Sequence, residues 1–137
     1  MTTPEQGITL TRTIAAPPSK VYAAYTSAEG WCAWCCETAE VDPRVGGRYH
    51  IFTEGYNALG DFTDLEPDRS IAFTWDGDGE PPMRVQVRLE AHGGSTDMTF
   101  TVTILGSTEA GFAEFLGRTW GRVLDNLKAV LERQVGG

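Results

Sequence analysis

Three thiols fall within five positions of this chain, in the run Trp31-Cys32-Ala33-Trp34-Cys35-Cys36, and they are its only cysteines. A Cys-x-x-Cys spacing runs disulfide exchange when the first thiol sits at a helix N-terminus after a strand, where the helix dipole stabilises the thiolate. Here a helical stretch and the segment Thr26-Ser27-Ala28-Glu29-Gly30 come first, and nothing reads as a βαβ unit. The other option is a zinc site of Cys32, Cys35 and Cys36 with His50 or His92 as fourth ligand. Its spacing is poor, because adjacent Cys35 and Cys36 do not easily point the same way and no second Cys or His pair follows. The thiols read best as small apolar side chains beside two tryptophans, so neither a metal nor a cofactor is expected.

The remaining polar groups give no catalytic set. His50 alternates with Tyr49 and Ile51, and faces outward if those two face the core; were the chain an enzyme, it is the first residue to test. His92 lies in the turn His92-Gly93-Gly94-Ser95, which lacks the strand–turn–helix setting of a nucleophile elbow. The acidic run Asp76-Gly77-Asp78-Gly79-Glu80 lacks the distant bidentate Glu of a calcium loop, and reads as a solvated hairpin end. Glu37, Glu40, Asp42 and Arg44 fit a polar pocket rim and a surface charge cluster equally well. Arg12 shares the alternating face of Leu10 and Ile14, taken as inward. It needs a carboxylate or a polar ligand group as partner, unless it lies at the sheet's end and reaches out to water.

The aromatics offer a different chemistry. Trp31, Trp34, Tyr49, Phe73, Trp75, Phe100, Phe112, Phe115 and Trp120 are placed to converge on one interface between sheet and helix. With Ile51, Val85 and Leu116 they form the expected ligand-binding set, since small-molecule sites are mostly apolar and aromatic walls with few polar groups. Filling a core is the competing role for the same side chains.

Those residues need elements to hold them. Ile8 to Ile14 alternates with period two, as a half-buried strand does. Pro17-Pro18-Ser19 ends it and primes a helix in which Val21, Tyr22 and Tyr25 share a side; a second short helix or turn carries Trp31 to Cys36. From about Val41 to Leu105 the pattern is strand and turn: Arg48–Thr53, Asp61–Glu66, Ser70–Trp75, Met83–Glu90 and Met98–Ile104. The short links between them require antiparallel pairing. From about 109 to 134, Phe112, Phe115, Leu116, Trp120, Val123, Leu124, Leu127, Val130 and Leu131 recur at three and four residues, as on one wide helix face. Such a face must cover something, and the buried side of the sheet is the available surface. The expected fold is α+β: a curved antiparallel sheet of about six or seven strands around a long C-terminal helix, with two short helices after the first strand.

At 137 residues the chain fits a single domain, 1–137, with its core over about 8–134. A net charge of -8 without any Lys/Arg run excludes nucleic acid, whose phosphates need a basic stripe. It also disfavours an anionic membrane surface, and no stretch approaches the ~20 apolar residues of a membrane span. The N-terminal residues lack the basic start and apolar run of a secretory signal, so a cytoplasmic location is expected. An open sheet leaves an edge through which a homodimer can form.

Four stretches carry a resemblance. They are Thr11-Arg12-Thr13-Ile14-Ala15-Ala16-Pro17 leading into Val21-Tyr22; Asp42-Pro43-Arg44-Val45-Gly46-Gly47-Arg48-Tyr49; Leu65-Glu66-Pro67-Asp68-Arg69-Ser70-Ile71-Ala72-Phe73-Thr74-Trp75; and Trp120 with Gly121 to Leu131. Together they resemble the START-like (SRPBCC) helix-grip superfamily, in the branch of homologues of the activator of heat-shock-protein ATPase. The sequence departs from that branch at Cys35-Cys36, where relatives often have Gly-Pro after the tryptophan, and at Tyr56-Asn57-Ala58-Leu59. The resemblance implies a cavity between sheet and helix, in a superfamily whose members variously bind lipids, hormones and polyketides or act as cyclases and hydrolases. The expected function is binding of a small hydrophobic molecule, aromatic, lipid or polyketide-like, in that cavity. A small-molecule hydrolase or cyclase using the same cavity, and a chaperone-interaction module, are the alternatives.

Overall fold

The computed structural model describes residues 6–105 and 111–136. Strand β1 (Gln6–Ile14) is followed by helices α1 (Pro18–Tyr25) and α2 (Ala28–Trp34). Six strands come next: β2 (Thr38–Val41), β3 (Arg48–Thr53), β4 (Tyr56–Glu66), β5 (Ser70–Gly77), β6 (Met83–His92) and β7 (Ser95–Ile104). Helix α3 (Phe112–Gly136) completes the described chain. The strands form one open antiparallel sheet in the order β1-β7-β6-β5-β4-β3-β2. β2 to β7 are a simple meander, and β1 pairs with β7, so β1 and β2 are the two edges. The connection between those edges carries α1 and α2 past the sheet, and α1 touches β5, β6 and β7.

Alternation fixes which face is inner. On β6, Met83, Val85, Val87 and Leu89 are buried while Arg84, Gln86, Arg88 and Glu90 are exposed. Opposite them on β7, Ile104, Val102, Phe100 and Met98 are buried in register; a shift of one residue would turn every one of these side chains outward. Thr96 is the buried polar exception, and its hydroxyl donates to the Ala16 carbonyl at 2.7 Å.

The strands differ from the sequence expectation in two places. β4 begins at Tyr56 rather than Asp61, because Glu54 and Gly55 both take positive φ (44° and 81°) and make a two-residue turn that pairs Thr53 directly with Tyr56. A register shift between Phe62 and Asp64 interrupts the β4–β5 ladder, the kind of irregularity that bends a strand and adds twist. β2 has four residues, too few for alternation to reveal, and exists through its pairing with β3.

Helix α3 does its packing along one stripe: Leu116, Trp120, Leu124, Leu127 and Leu131 are buried. The expected start of this helix near Glu109 lies outside the described residues. The C-terminal part of α3 is tied to its surroundings by polar bonds. Asp125 accepts from Arg12 Nε at 2.7 Å, Lys128 Nζ donates to the Thr13 carbonyl at 2.8 Å, and Glu132 accepts from the Ala15 N–H at 2.8 Å. Asn126 donates to the Trp34 carbonyl, also at 2.8 Å, joining α3 to the end of α2. Among the described residues, no helix is long and apolar enough to cross a membrane.

Candidate functional site

Toward its N-terminal end, α3 stands off the sheet. A cavity of about 270 Å³ lies between Phe115, Leu116, Thr119, Trp120 and Val123 of the helix and Ile51, Thr53, Tyr56 and Trp75 of β3 to β5. Cys35 and Glu80 complete the wall. The strand residues point inward by alternation: Ile51 and Thr53 are two apart on β3, and Trp75 continues the buried row Ile71, Phe73 on β5. Phe115 is 46% exposed and forms the rim, its ring 6.0 Å from that of Phe112. A larger hollow, about 430 Å³, lies among Asp64, Arg69, Arg88, Glu90 and their neighbours on the opposite side of the sheet. Its charged, open wall is that of a solvated surface and lacks the apolar enclosure of a small-molecule site.

One end of the apolar cavity is polar. Trp75 Nε1–H donates to the Tyr56 hydroxyl at 3.0 Å, and that hydroxyl donates in turn to Glu80 Oε1. Burial, followed by the bond to Glu80, raises the Tyr56 pKa, with the Trp75 bond opposing, so the phenol keeps the proton it donates. The acidic turn is held down to make this possible. Asp78 Oδ2 accepts from both the Asn57 N–H (2.8 Å) and its side-chain amide (3.1 Å), and the Asp78 N–H returns a bond to the Asn57 carbonyl at 3.0 Å. Gly77 leaves room for this pair, because a Cβ there would meet the Tyr56 hydroxyl and Glu80 Oε1 and one of them would have to shift.

Cys35 and Cys36 are not activated, while Cys32 is exposed. Burial, with the neighbouring Cys32 adding to it, pushes the Cys35 thiol up to about 12, and burial also pushes Cys36 up to about 12, helped by contact with Cys32 at 3.8 Å. At neutral pH both stay protonated and lack the thiolate that nucleophilic or redox chemistry requires. All three cysteines are free, and among the described residues no group of three His, Cys, Asp or Glu side chains is placed to hold a metal ion. His50 sits on the outer face, its Nε2 2.8 Å from Asn57 Oδ1, and His92 is exposed 3.8 Å from Asp97. Arg12 keeps the alternation of Leu10 and Ile14, yet its guanidinium reaches Asp125 and the Gly121 carbonyl on α3 and stays away from the cavity. Arg44 pairs with Asp42 at the surface.

Of the aromatic and apolar residues singled out in the sequence, Ile51, Trp75, Phe115, Leu116 and Trp120 line the cavity. Trp31, Trp34, Tyr49 and Phe73 are packed behind it. Trp31 stacks on Trp34 at 4.8 Å and on Tyr49 at 6.2 Å, and meets Phe73 edge-on at 5.8 Å. The two indoles of α2 are further fixed by donating to the Tyr25 and Ala24 carbonyls. Tyr49 lies against Gly60, where a Cβ would meet its ring at 2.7 Å, and its hydroxyl donates to the Thr74 carbonyl. Phe100 contacts Trp120 from behind at 4.9 Å, Val85 is buried in β6, and Phe112 lies beside Phe115. Tyr56, Glu80, Thr53, Thr119, Val123 and Cys35 line the cavity without having been singled out as ligand contacts. The one sequence signal for Glu80 is the Gly77/Gly79 pair, which lets the acidic turn fold back on β4.

The comparisons with known proteins agree with this architecture. A family model described as "Activator of Hsp90 ATPase homolog 1-like protein" matches residues 15–132. The mouse (Mus musculus) activator of 90 kDa heat shock protein ATPase homolog 1 is 35% identical over 68 residues, covering 50% of this chain and 20% of the mouse protein. The solution structure of the Aha1 dimer from Colwellia psychrerythraea superposes with a TM-score of 0.82 at 24% identity, covering 93% of this chain and 96% of that one. The crystal structure of DynU16, from the dynemicin biosynthetic locus, gives 0.83 at 20% identity over 94% of this chain and 48% of its own. At these identities the two structures speak for the fold alone. With the family model spanning most of its length, the chain belongs to the family of proteins like activator of Hsp90 ATPase homolog 1, on the helix-grip fold.

Proposed function

We propose that this protein binds a small, largely apolar molecule in the cavity between α3 and strands β3 to β5. The observation that carries this reading is the stand-off of α3. Behind it the aromatic side chains are closely packed, yet a mostly apolar cleft of about 270 Å³, open to solvent past Phe115, is left beside them, and small molecules bind in clefts lined by apolar and aromatic side chains with a few polar groups. Free, protonated thiols at Cys35 and Cys36 accord with a reducing, cytoplasmic setting. The test is a native mass-spectrometry and tryptophan-fluorescence titration with 2-phenylethanol, set against Thr119→Phe, which grows a ring into the space. Saturable binding by the parent protein and none by the filled, folded variant is expected. Absence of binding to the parent, or equal binding by both, would refute the proposal.

Membership of the activator family favours a second reading, as a module that docks on an Hsp90-class chaperone. It predicts that adding this protein changes the ATPase rate of such a chaperone, and an unchanged rate over a full titration would dispose of it.

A further inference from the structure

We infer that the molecule taken up by the cavity is an amine: an aromatic or branched aliphatic body carrying one protonated nitrogen, held by Glu80 and the indoles of Trp75 and Trp120. The inference rests on the cavity-binding reading and names the chemistry of its occupant. Three observations lead to it.

The first is the direction of the hydrogen bonds at the polar end. The indole N–H of Trp75 is spent on Tyr56, and the Tyr56 hydroxyl is spent on Glu80 Oε1. What the chain of bonds presents to the cavity is therefore its acceptor end, the carboxylate, whose second oxygen takes no hydrogen bond among the described residues. An occupant at the Glu80 end meets a fixed acceptor and needs a donor there, although the Trp120 indole N–H, which makes no hydrogen bond among the described residues, is a donor elsewhere on the same wall. The hydroxyls of Thr53 and Thr119 can serve as donor or acceptor and select neither sign.

The second is charge. Glu80 is the one ionised group on the described cavity wall, and no Lys or Arg stands there to receive an anion. Asp76 and Asp78 flank the same turn, and the chain as a whole carries -8. A carboxylate or phosphate occupant would bring like charge to Glu80 in a partly desolvated space, whereas an ammonium forms a charge-assisted bond there.

The third is the aromatic wall. Trp75 and Trp120 both line the cavity and meet edge to face, 5.0 Å apart at 73°, and tryptophan is the best of the aromatic side chains for a cation. The size is set as well: about 270 Å³ equals the liquid share of about nine waters, room for a body of about ten non-hydrogen atoms.

The test compares three probes of nearly one shape, 2-phenylethylamine, 2-phenylethanol and 3-phenylpropionate, titrated calorimetrically into the full chain at pH 7 and repeated with Glu80→Gln. Glu80 lies in a surface turn, and circular dichroism checks that the variant is folded. The amine is expected to bind about tenfold or more tighter than the alcohol, as a charge-assisted contact over a neutral one implies, and the acid weakest. Glu80→Gln should bring the amine down to the alcohol and leave the alcohol where it was. An alcohol or acid that binds as well as the amine, or an amine preference that survives in Glu80→Gln, overturns this inference while leaving the cavity as a binding site. If none of the three binds, the cavity reading itself falls and this one with it.

Discussion

Raising the pH should drain stability from this fold through its buried thiols, and Cys35 is the one whose share can be isolated. Its thiol, ordinarily near 9.0, is pushed up to about 12, chiefly by burial. The folded protein therefore holds the proton after the unfolded chain has lost it. The stabilising contribution is whole below pH 9 and is lost progressively as pH climbs from 9 toward 12. At about 1.36 kcal/mol per unit, the loss is about 1.4 kcal/mol at pH 10 and about 2.7 kcal/mol at pH 11; these are upper figures, because Cys35 is partly exposed on the cavity wall. Cys35→Ala removes the thiol and its pH term together, at a cost of about 1 kcal/mol at neutral pH for the vacated space. Urea denaturation of both proteins under reducing conditions, at half-unit steps from pH 7.5 to 10.5, reads the difference between them. Cys36, Tyr25 and Tyr49, which burial also raises, titrate in both proteins and largely cancel in that difference. The parent should be the more stable below pH 9, the two should meet near pH 10, and the variant should lead above it. A gap between the two curves that does not change with pH would refute the assignment of Cys35 as a proton-retaining buried thiol.

Two further substitutions probe bonds that position the fold and the site. Thr96→Val keeps the shape but leaves the Ala16 carbonyl without its donor in a wholly buried place; a loss of about 1–3 kcal/mol in chemical denaturation is expected, and Thr96→Ser should retain most of it. Gly77→Ala places a methyl where the Tyr56 hydroxyl meets Glu80, so at least one of the two side-chain ends must shift from its place on the cavity wall. The folded variant should lose the preference for 2-phenylethylamine while still taking up 2-phenylethanol, and an unaltered preference would show that Glu80 needs no positioning by Tyr56.

The sequence made the frame readable where burial writes a period. β6 and β7 are buried on every second residue, and α3 repeats its large apolar groups at three and four. Where pairing rather than period makes the strand, it was silent: β2 is four residues long, and the first turn of β4 holds Tyr56, Asn57 and Gly60, none of which announces a strand. The site divides in the same way. Ile51, Trp75, Leu116 and Trp120 lie on faces that alternation and helical spacing pick out. Those patterns do not say how deep along the helix the contact closes, so Trp31, Trp34, Tyr49 and Phe73, on the same interface, are packed behind the cavity. Glu80 was hidden for another reason. Its role comes from a turn folding back across two glycines, a tertiary event that makes a solvated-looking acidic run deliver one carboxylate inward.

Helix α3 carries most of its side-chain ties and its cavity-facing side chains on different stretches, the Arg12 bond to the Gly121 carbonyl being the exception. Asp125, Asn126, Lys128 and Glu132 fasten the helix to β1, the β1–α1 link and α2, while Phe115, Leu116, Thr119 and Val123 face the cavity on the stretch before them. Substitution can therefore accumulate on the cavity side without spending the attachment that keeps the helix in place. A lineage built this way is free to retune what it accepts by small changes on two or three turns of one helix, while the backbone around it stays fixed. Helix-grip structures at 20% and 24% identity to this chain keep nearly its whole trace, as a frame whose attachment does not depend on every cavity-wall side chain would allow.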